Sequence, residues 1–193
     1  MVAGVEAYRV MRREPLCPRQ FHKARPSPSK ETSSRRWGDW RRYAQPMNAV
    51  VLRPGDGERH DLGPSSITIK AGGEHTGGTM FVAENVIAAG FAGPPPHTHE
   101  RLHDMFYVLD GELTVRVGEQ TVQARPGSFV CVPPGVIHTF SNQTDGPVRF
   151  LNLNTPSGWE SYMRDLANEL PRDRPPMPED IGRIASRYDF HPL

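Results

Sequence analysis

Residues 94–112 read PPPHTHERLHDMFYVLDGE, and two patterns overlap in them. From His103 the run alternates as an extended strand must. Asp104, Phe106 and Val108 fall on one face and His103, Met105, Tyr107 and Leu109 on the other, until Asp110-Gly111 ends the run with a turn signal. Just before and into this strand, His97, His99, His103 and Asp104 crowd into eight residues. His-x-His on extended backbone puts both imidazoles on one side. Three of the four could hold a metal, and parity lets only one of the neighbours His103 and Asp104 point inward.

The same alternation continues outward from this strand. From Ile67 to Leu153, the segments SITIK, TMFVAENVIAAG, MFYVLDG, ELTVRVG, QTVQARPG, SFVCVPPG, IHTFSN and PVRFLNLN are short apolar-alternating runs bounded by Gly, Pro, Asn and Asp. Each predicts a strand, and VLDGELTVRVGEQTVQ predicts hairpins. Many short strands imply a sandwich or barrel. After Thr155 the period changes to that of a helix. Trp159, Tyr162, Met163, Leu166 and Leu170 share one face up to Pro171, with Ser157 and Glu160 placed as a capping box. A Pro-rich connector leads to a second short helix carrying Ile181, Ile184, Ala185 and Tyr188 on one face.

The 193 residues suit one domain with a sizeable core. Charge divides them unevenly. Residues 1–46 hold 11 Lys/Arg against 4 Asp/Glu, and the rest hold 12 against 18. The expected organisation is a basic, disordered extension over 1–46, a β-barrel over 47–156, and a helical segment over 157–193 packed on the barrel. Trp37, Trp40 and Tyr43 in the basic arm could stack on bases, but the first 60 residues show no helix-turn-helix pattern, so nucleic acid is not an expected partner. No apolar run approaches the roughly 20 residues of a membrane span, and no signal-like apolar segment is seen. A cytoplasmic protein without a membrane partner is expected. The two cysteines, Cys17 and Cys131, do not suggest a disulfide framework, and Cys131 is expected to be buried in a strand.

Two motifs carry the chemistry. Gly127, Pro133, Gly135, His138 and Asn142 fit Gly-x5-Pro-x-Gly-x2-His-x3-Asn, a coincidence of five positions with chance odds on the order of one in ten thousand. His97, His99 and Gly111 fit Gly-x5-His-x-His-x3,4-Glu-x6-Gly; the leading Gly sits one place early, at Gly90, and the Glu position holds Asp104. Both are the motifs of the cupin superfamily. The chain resembles a small single-domain cupin, which implies an all-β fold: a double-stranded β-helix, or jelly-roll, barrel with C-terminal helices.

That resemblance also implies one divalent transition metal, Fe, Mn, Ni, Co, Cu or Zn, held by His97, His99, His138 and a carboxylate. The motif count selects Asp104 for the carboxylate. Because Asp is one methylene shorter than Glu, direct ligation, action through a water, and replacement by His103 all stay open. Phe106, Val108 and Phe140 are expected to line the substrate pocket.

GPPPHTHE, DMFYVLDGEL, the TPSGWESYMRDLANEL helix and the closing IASRYDF resemble the quercetinase-like group. This implies a dioxygenase that uses dioxygen on a small aromatic or enol-bearing substrate, with Asp104 standing where that group has its catalytic Glu base. A non-catalytic small-molecule binder and another metal-dependent cupin enzyme, an isomerase or decarboxylase, are the alternatives. A homodimer is expected from the same resemblance.

Overall fold

The computed structural model describes residues 49–174 and 176–193. The expected extension over 1–46 lies outside them, as does Cys17. The elements are β1 Glu58–Asp61, β2 Ser65–Ala71, α1 Gly73–Thr76, β3 Phe81–Ile87, β4 His97–Thr98, β5 His103–Asp110, β6 Leu113–Val117, β7 Gln120–Ala124, β8 Phe129–Val132, β9 His138–Ser141, β10 Val148–Thr155, α2 Trp159–Glu169, α3 Pro178–Ala185 and β11 His191–Pro192. Two antiparallel sheets face each other in a jelly roll. One has the order β1-β2-β3-β10-β5-β8 and the other β11-β4-β9-β6-β7.

All eight strands expected from alternation are present. Among the described residues, three more strands are present that carry no periodic signal in the sequence. β1 is polar throughout, while β4 and β11 are two residues long and are defined by their partners.

The inward faces stack in layers set by strand register. β5 pairs with β10, so Asp104 lies opposite Asn154 and Phe106 opposite Asn152; β10 pairs in turn with β3, which brings Asn154 to Phe81 and Asn152 to Ala83. At one end of the barrel, Ile87, Phe106, Val108, Leu113, Val115, Ala124, Val132, Val148 and Phe150 form an apolar cluster. Phe106, Phe140 and Phe150 meet there with ring centroids 5.4 to 5.9 Å apart. At the other end, Ile67, Ile69, Phe81 and Ala83 of the barrel pack with Trp159, Tyr162, Leu166, Ile184, Ala185 and Phe190 of the C-terminal segment. Burying each large apolar side chain contributes roughly 1.5–3 kcal/mol, so both ends favour closure. Between the two clusters runs a layer of polar side chains.

Two local expectations are corrected. Cys131 is exposed, because parity along β8 turns Val130 and Val132 toward the barrel cluster and Phe129 and Cys131 outward. The capping box at α2 does not form with Ser157. The N-cap is Gly158, at φ 123, with no side-chain cap. Glu160 instead turns its carboxylate back to accept from Gly158 N–H at 2.8 Å and from Gly73 N–H at 2.8 Å, tying the helix start to α1.

Gly111 holds the sharp β5–β6 turn at φ +77, and a Cβ there would stand 2.8 Å from Pro147 O. Both conditions select glycine.

Candidate metal centre

His97 in β4 and His138 in β9 are direct cross-strand partners, so one sheet delivers two imidazoles side by side. His99 follows two residues on, with the same parity as His97. Its loop is pinned by Gly135 N–H donating to His99 O at 2.8 Å. Asp104 comes across from β5 in the facing sheet. The four are buried, each at 6% exposure or less, and their ligand atoms lie within 4.8 Å of one another. Imidazole centroids stand 4.3 Å apart for His97–His138, 5.0 Å for His97–His99 and 5.1 Å for His99–His138.

Hydrogen bonding assigns the tautomers. Nδ1–H of His97 donates to Pro95 O at 2.9 Å, Nδ1–H of His138 to Val136 O at 3.0 Å, and Nδ1–H of His99 to Asp189 O. In each ring a lone pair is therefore left on Nε2. Burial, reinforced by the neighbouring His138, pushes His97 down to about 4, and burial also lowers His99. Both imidazoles are thus neutral at pH 7, the form that binds metals.

Asp104 is held from behind. Its Oδ1 accepts from Asn152 Nδ2 at 2.6 Å and Asn154 Nδ2 at 2.7 Å, while Oδ2 faces His138 Nε2 at 3.2 Å and His99 Nε2 at 4.0 Å.

This set fits a divalent transition metal. With Nδ1–H of His138 engaged, Nε2 and Asp104 Oδ2 meet lone pair to lone pair, an arrangement stabilised only by a cation, whether a proton or a metal ion. Among the described residues, His99 Nε2 has no hydrogen-bond partner although it is buried, a costly state for a neutral polar atom unless it serves as a ligand. Asn154 Oδ1 is a second buried acceptor in this layer without a donor among the described residues. Three imidazoles and one carboxylate suit Fe, Mn, Ni, Co, Cu or Zn alike.

The residues singled out from sequence divide cleanly. His97, His99, Asp104 and His138 are brought together. His103 opens β5 on the opposite face and is only half-buried. Phe106 and Val108 lie in the apolar cluster with Phe140 packed against it, Phe106 being the inward residue next to Asp104. Asn142 is buried away from the site as a loop clamp, donating to Ala88 O and Gly146 O while accepting from Thr144.

Sequence reasoning missed two sets. Asn152 and Asn154 stand at inward positions of VRFLNLNT, on the parity of Val148 and Phe150, and two polar residues on a core face were the available signal. The closing segment was missed as a neighbour of the site. Phe190 stacks on His97 at 4.2 Å, and Trp159 meets His99 edge-on at 5.1 Å. β11 pairs with β4, and the Asp189 carboxylate accepts from three successive backbone N–H groups, Glu100, Arg101 and Leu102. No local pattern reveals contacts made across 90 residues of chain.

A surface cleft of about 410 Å³ is lined by Arg101, Pro156, Trp159, Tyr188 and His191 among others. A larger one, about 740 Å³, lies between the β1–β2 turn and the end of α2 and touches none of the four residues.

Residues 84–154 match the Cupin_2 family, described as a cupin domain. Quercetin 2,3-dioxygenase of Bacillus subtilis is 32% identical over 96 residues, covering 49% of this chain and 28% of that protein. Germin-like protein 1-1 of Oryza sativa is 30% identical over 105 residues, covering 49% of this chain and 45% of that protein. The chain thus spans less than half the length of both relatives. The solved structure of KdgF from Halomonas sp. superposes with a TM-score of 0.51 at 17% identity, covering 59% of this chain and 98% of that one, a likeness of fold.

Proposed function

We propose, from the premise that this chain belongs to the cupin superfamily, that it is a metal-dependent dioxygenase acting on a small aromatic or enol-bearing substrate. The observation that carries the reading is the buried convergence of three Nε2 lone pairs on a carboxylate whose Oδ2 is turned toward them. The partial likeness to a quercetin 2,3-dioxygenase supports the choice of reaction class. His97, His99, His138 and Asp104 would hold the ion, which supplies Lewis-acid binding of an anionic oxygen and activation of dioxygen.

The chain's own residues supply the rest. His97 and His99, neutral and tautomer-fixed, present ligand atoms without prior proton loss. Asp104 Oδ2 is the atom placed to ligate or to take the proton of a substrate hydroxyl. Phe106, Phe140 and Phe150 make a dry floor beneath the polar layer, and Trp159 and Phe190 close it from the other side. Low water access strengthens every charge interaction inside.

The test is oxygen uptake by metal-loaded protein offered flavonols and 1,3-diketones. Stoichiometric uptake with product formation supports the reading, and none with any loaded metal refutes it. One observation favours a second reading, capture of a small molecule without turnover: the four residues are almost fully covered, with Phe190 stacked directly on His97. Ligand binding without oxygen uptake would select that alternative. Pairing into a homodimer is part of the proposal, and light scattering tests it.

A further inference from the structure

The geometry points to Asn152 and Asn154 as positioning residues that let an aspartate serve as a ligand in this centre, an inference that rests on the metal-centre reading above. A carboxylate on a short stem can reach a site only if both its side-chain torsions are right, and nothing covalent fixes the second. Here two amides fix it. Both NH2 groups converge on a single oxygen, Oδ1, at 2.6 and 2.7 Å, the short distances of charge-assisted hydrogen bonds. With Oδ1 doubly held, Oδ2 is turned to His138 and His99 and becomes the single oxygen available to a metal.

The placement follows from strand register rather than from local sequence. Asn154 lies directly opposite Asp104 across the β5–β10 ladder, and Asn152 opposite Phe106, one inward position further along. All three side chains share one face, so the amides reach the carboxylate from one side and from beneath. Asn152 also donates to Met105 O at 3.2 Å, which anchors its amide to the strand that carries Asp104. Asn154 is completely buried and Asn152 nearly so. An amide in such a place is costly unless it is paired, and apart from the Met105 contact the Asp104 carboxylate is the partner that satisfies these donors. The pair therefore offsets its burial by orienting a ligand.

The same arrangement bears on which carboxylate oxygen does chemistry. Two N–H donors occupy Oδ1, so ligation or proton transfer belongs to Oδ2. The second inward Asn adds an acceptor without a partner among the described residues, Asn154 Oδ1, beside the same carboxylate.

A thermodynamic cycle tests this. Asn152→Leu and Asn154→Leu, close in shape but without donors, are made singly in wild type and in Asp104→Ala, and Zn²⁺ and Co²⁺ affinities are measured by chelator competition. Each change should weaken binding roughly 10–100-fold in the wild-type background, and less than about threefold when Asp104 is already alanine. The visible spectrum of bound Co²⁺ should shift in the single variants toward that of Asp104→Ala.

Equal losses in both backgrounds would make the asparagines merely structural, and no loss in either would remove the role altogether; both overturn the inference. Should a leucine variant fail to fold, Asn→Ser, too short to reach Oδ1, carries the same test. The two readings can fail separately, because metal affinity is read without turnover. Wild type that binds metal tightly but consumes no oxygen sinks the dioxygenase proposal and leaves the cycle interpretable.

Discussion

Replacing Asp189 by alanine should damage both the fold and the metal centre, although Asp189 is not itself a ligand. Its carboxylate accepts from Glu100 N–H at 2.6 Å, Arg101 N–H at 3.0 Å and Leu102 N–H at 3.1 Å, and its backbone carbonyl accepts from His99 Nδ1. Burial by itself would raise the Asp189 carboxyl, but the three N–H donors outweigh it and hold the group below the ordinary carboxylate range. Hydrogen bonds to a charged group are each worth about 1.5–3 kcal/mol at most, and water can replace part of the Glu100 and Arg101 contacts at a side chain that is 18% exposed. The net loss should be about 2–4 kcal/mol, a drop of roughly 5–15 °C in melting temperature for a domain of this size.

The freed loop carries His99, so divalent-metal affinity should fall roughly 10–100-fold as well. Thermal unfolding of the metal-free protein and chelator-competition titrations measure the two effects. Asp189→Asn, which keeps one acceptor oxygen, should fall between. An alanine variant within about 0.5 kcal/mol of wild type, or one with unchanged metal affinity, would refute the claim that the closing segment organises the centre.

Three further outcomes are expected. His97 is held near 4 when folded and titrates near 6.5 when unfolded, so the unfolded chain gains its proton first as pH falls; metal-free wild type should lose roughly 3 kcal/mol of stability between about pH 6.5 and 4 relative to His97→Gln, and a pH-independent difference in urea unfolding would contradict this. Phe190→Ala removes a side chain that is 5% exposed and stacked on His97; it should cost about 3–5 kcal/mol and speed metal loss to a chelator several-fold, whereas an unchanged loss rate would show that the segment does not gate the site. Gly93→Ala would drive its Cβ into Phe140 O at φ +83, while Gly90→Ala at φ +68 meets open space; thermal melts should show a loss above about 3 kcal/mol for the first and about 1–2 for the second, and similar losses would argue against the close approach.

How far sequence reached depended on whether a signal was local. Strand parity is local, so HDMFYVLDGE yielded the faces of β5 and allowed only one of His103 and Asp104 to point inward, the motif count favoured Asp104, and the regular alternation elsewhere yielded the barrel; that His103 lies outside the cluster came from the structure. His97, His99 and His138 were legible from motif spacing. Register between strands distant in sequence is not local, and neither the Asn152 and Asn154 amides behind Asp104 nor Asp189 and Phe190 over the histidines could be placed without it. Cys131 and the Ser157 capping box failed for a smaller reason. A strand-like run suggested a buried thiol at Cys131, and a pattern suggested a cap, where the parity of Val130 and Val132 and the contact of Glu160 with Gly73 decided otherwise.

We propose that His97, His99, Asp104 and His138 bind one metal ion. Elemental analysis by plasma mass spectrometry after loading with Fe²⁺, Mn²⁺, Ni²⁺, Co²⁺, Cu²⁺ or Zn²⁺ and extensive dialysis tests it most directly. Wild type should retain close to one ion per chain and folded His138→Ala close to none. A wild type that retains no ion, or a His138→Ala that retains as much as wild type, would contradict it.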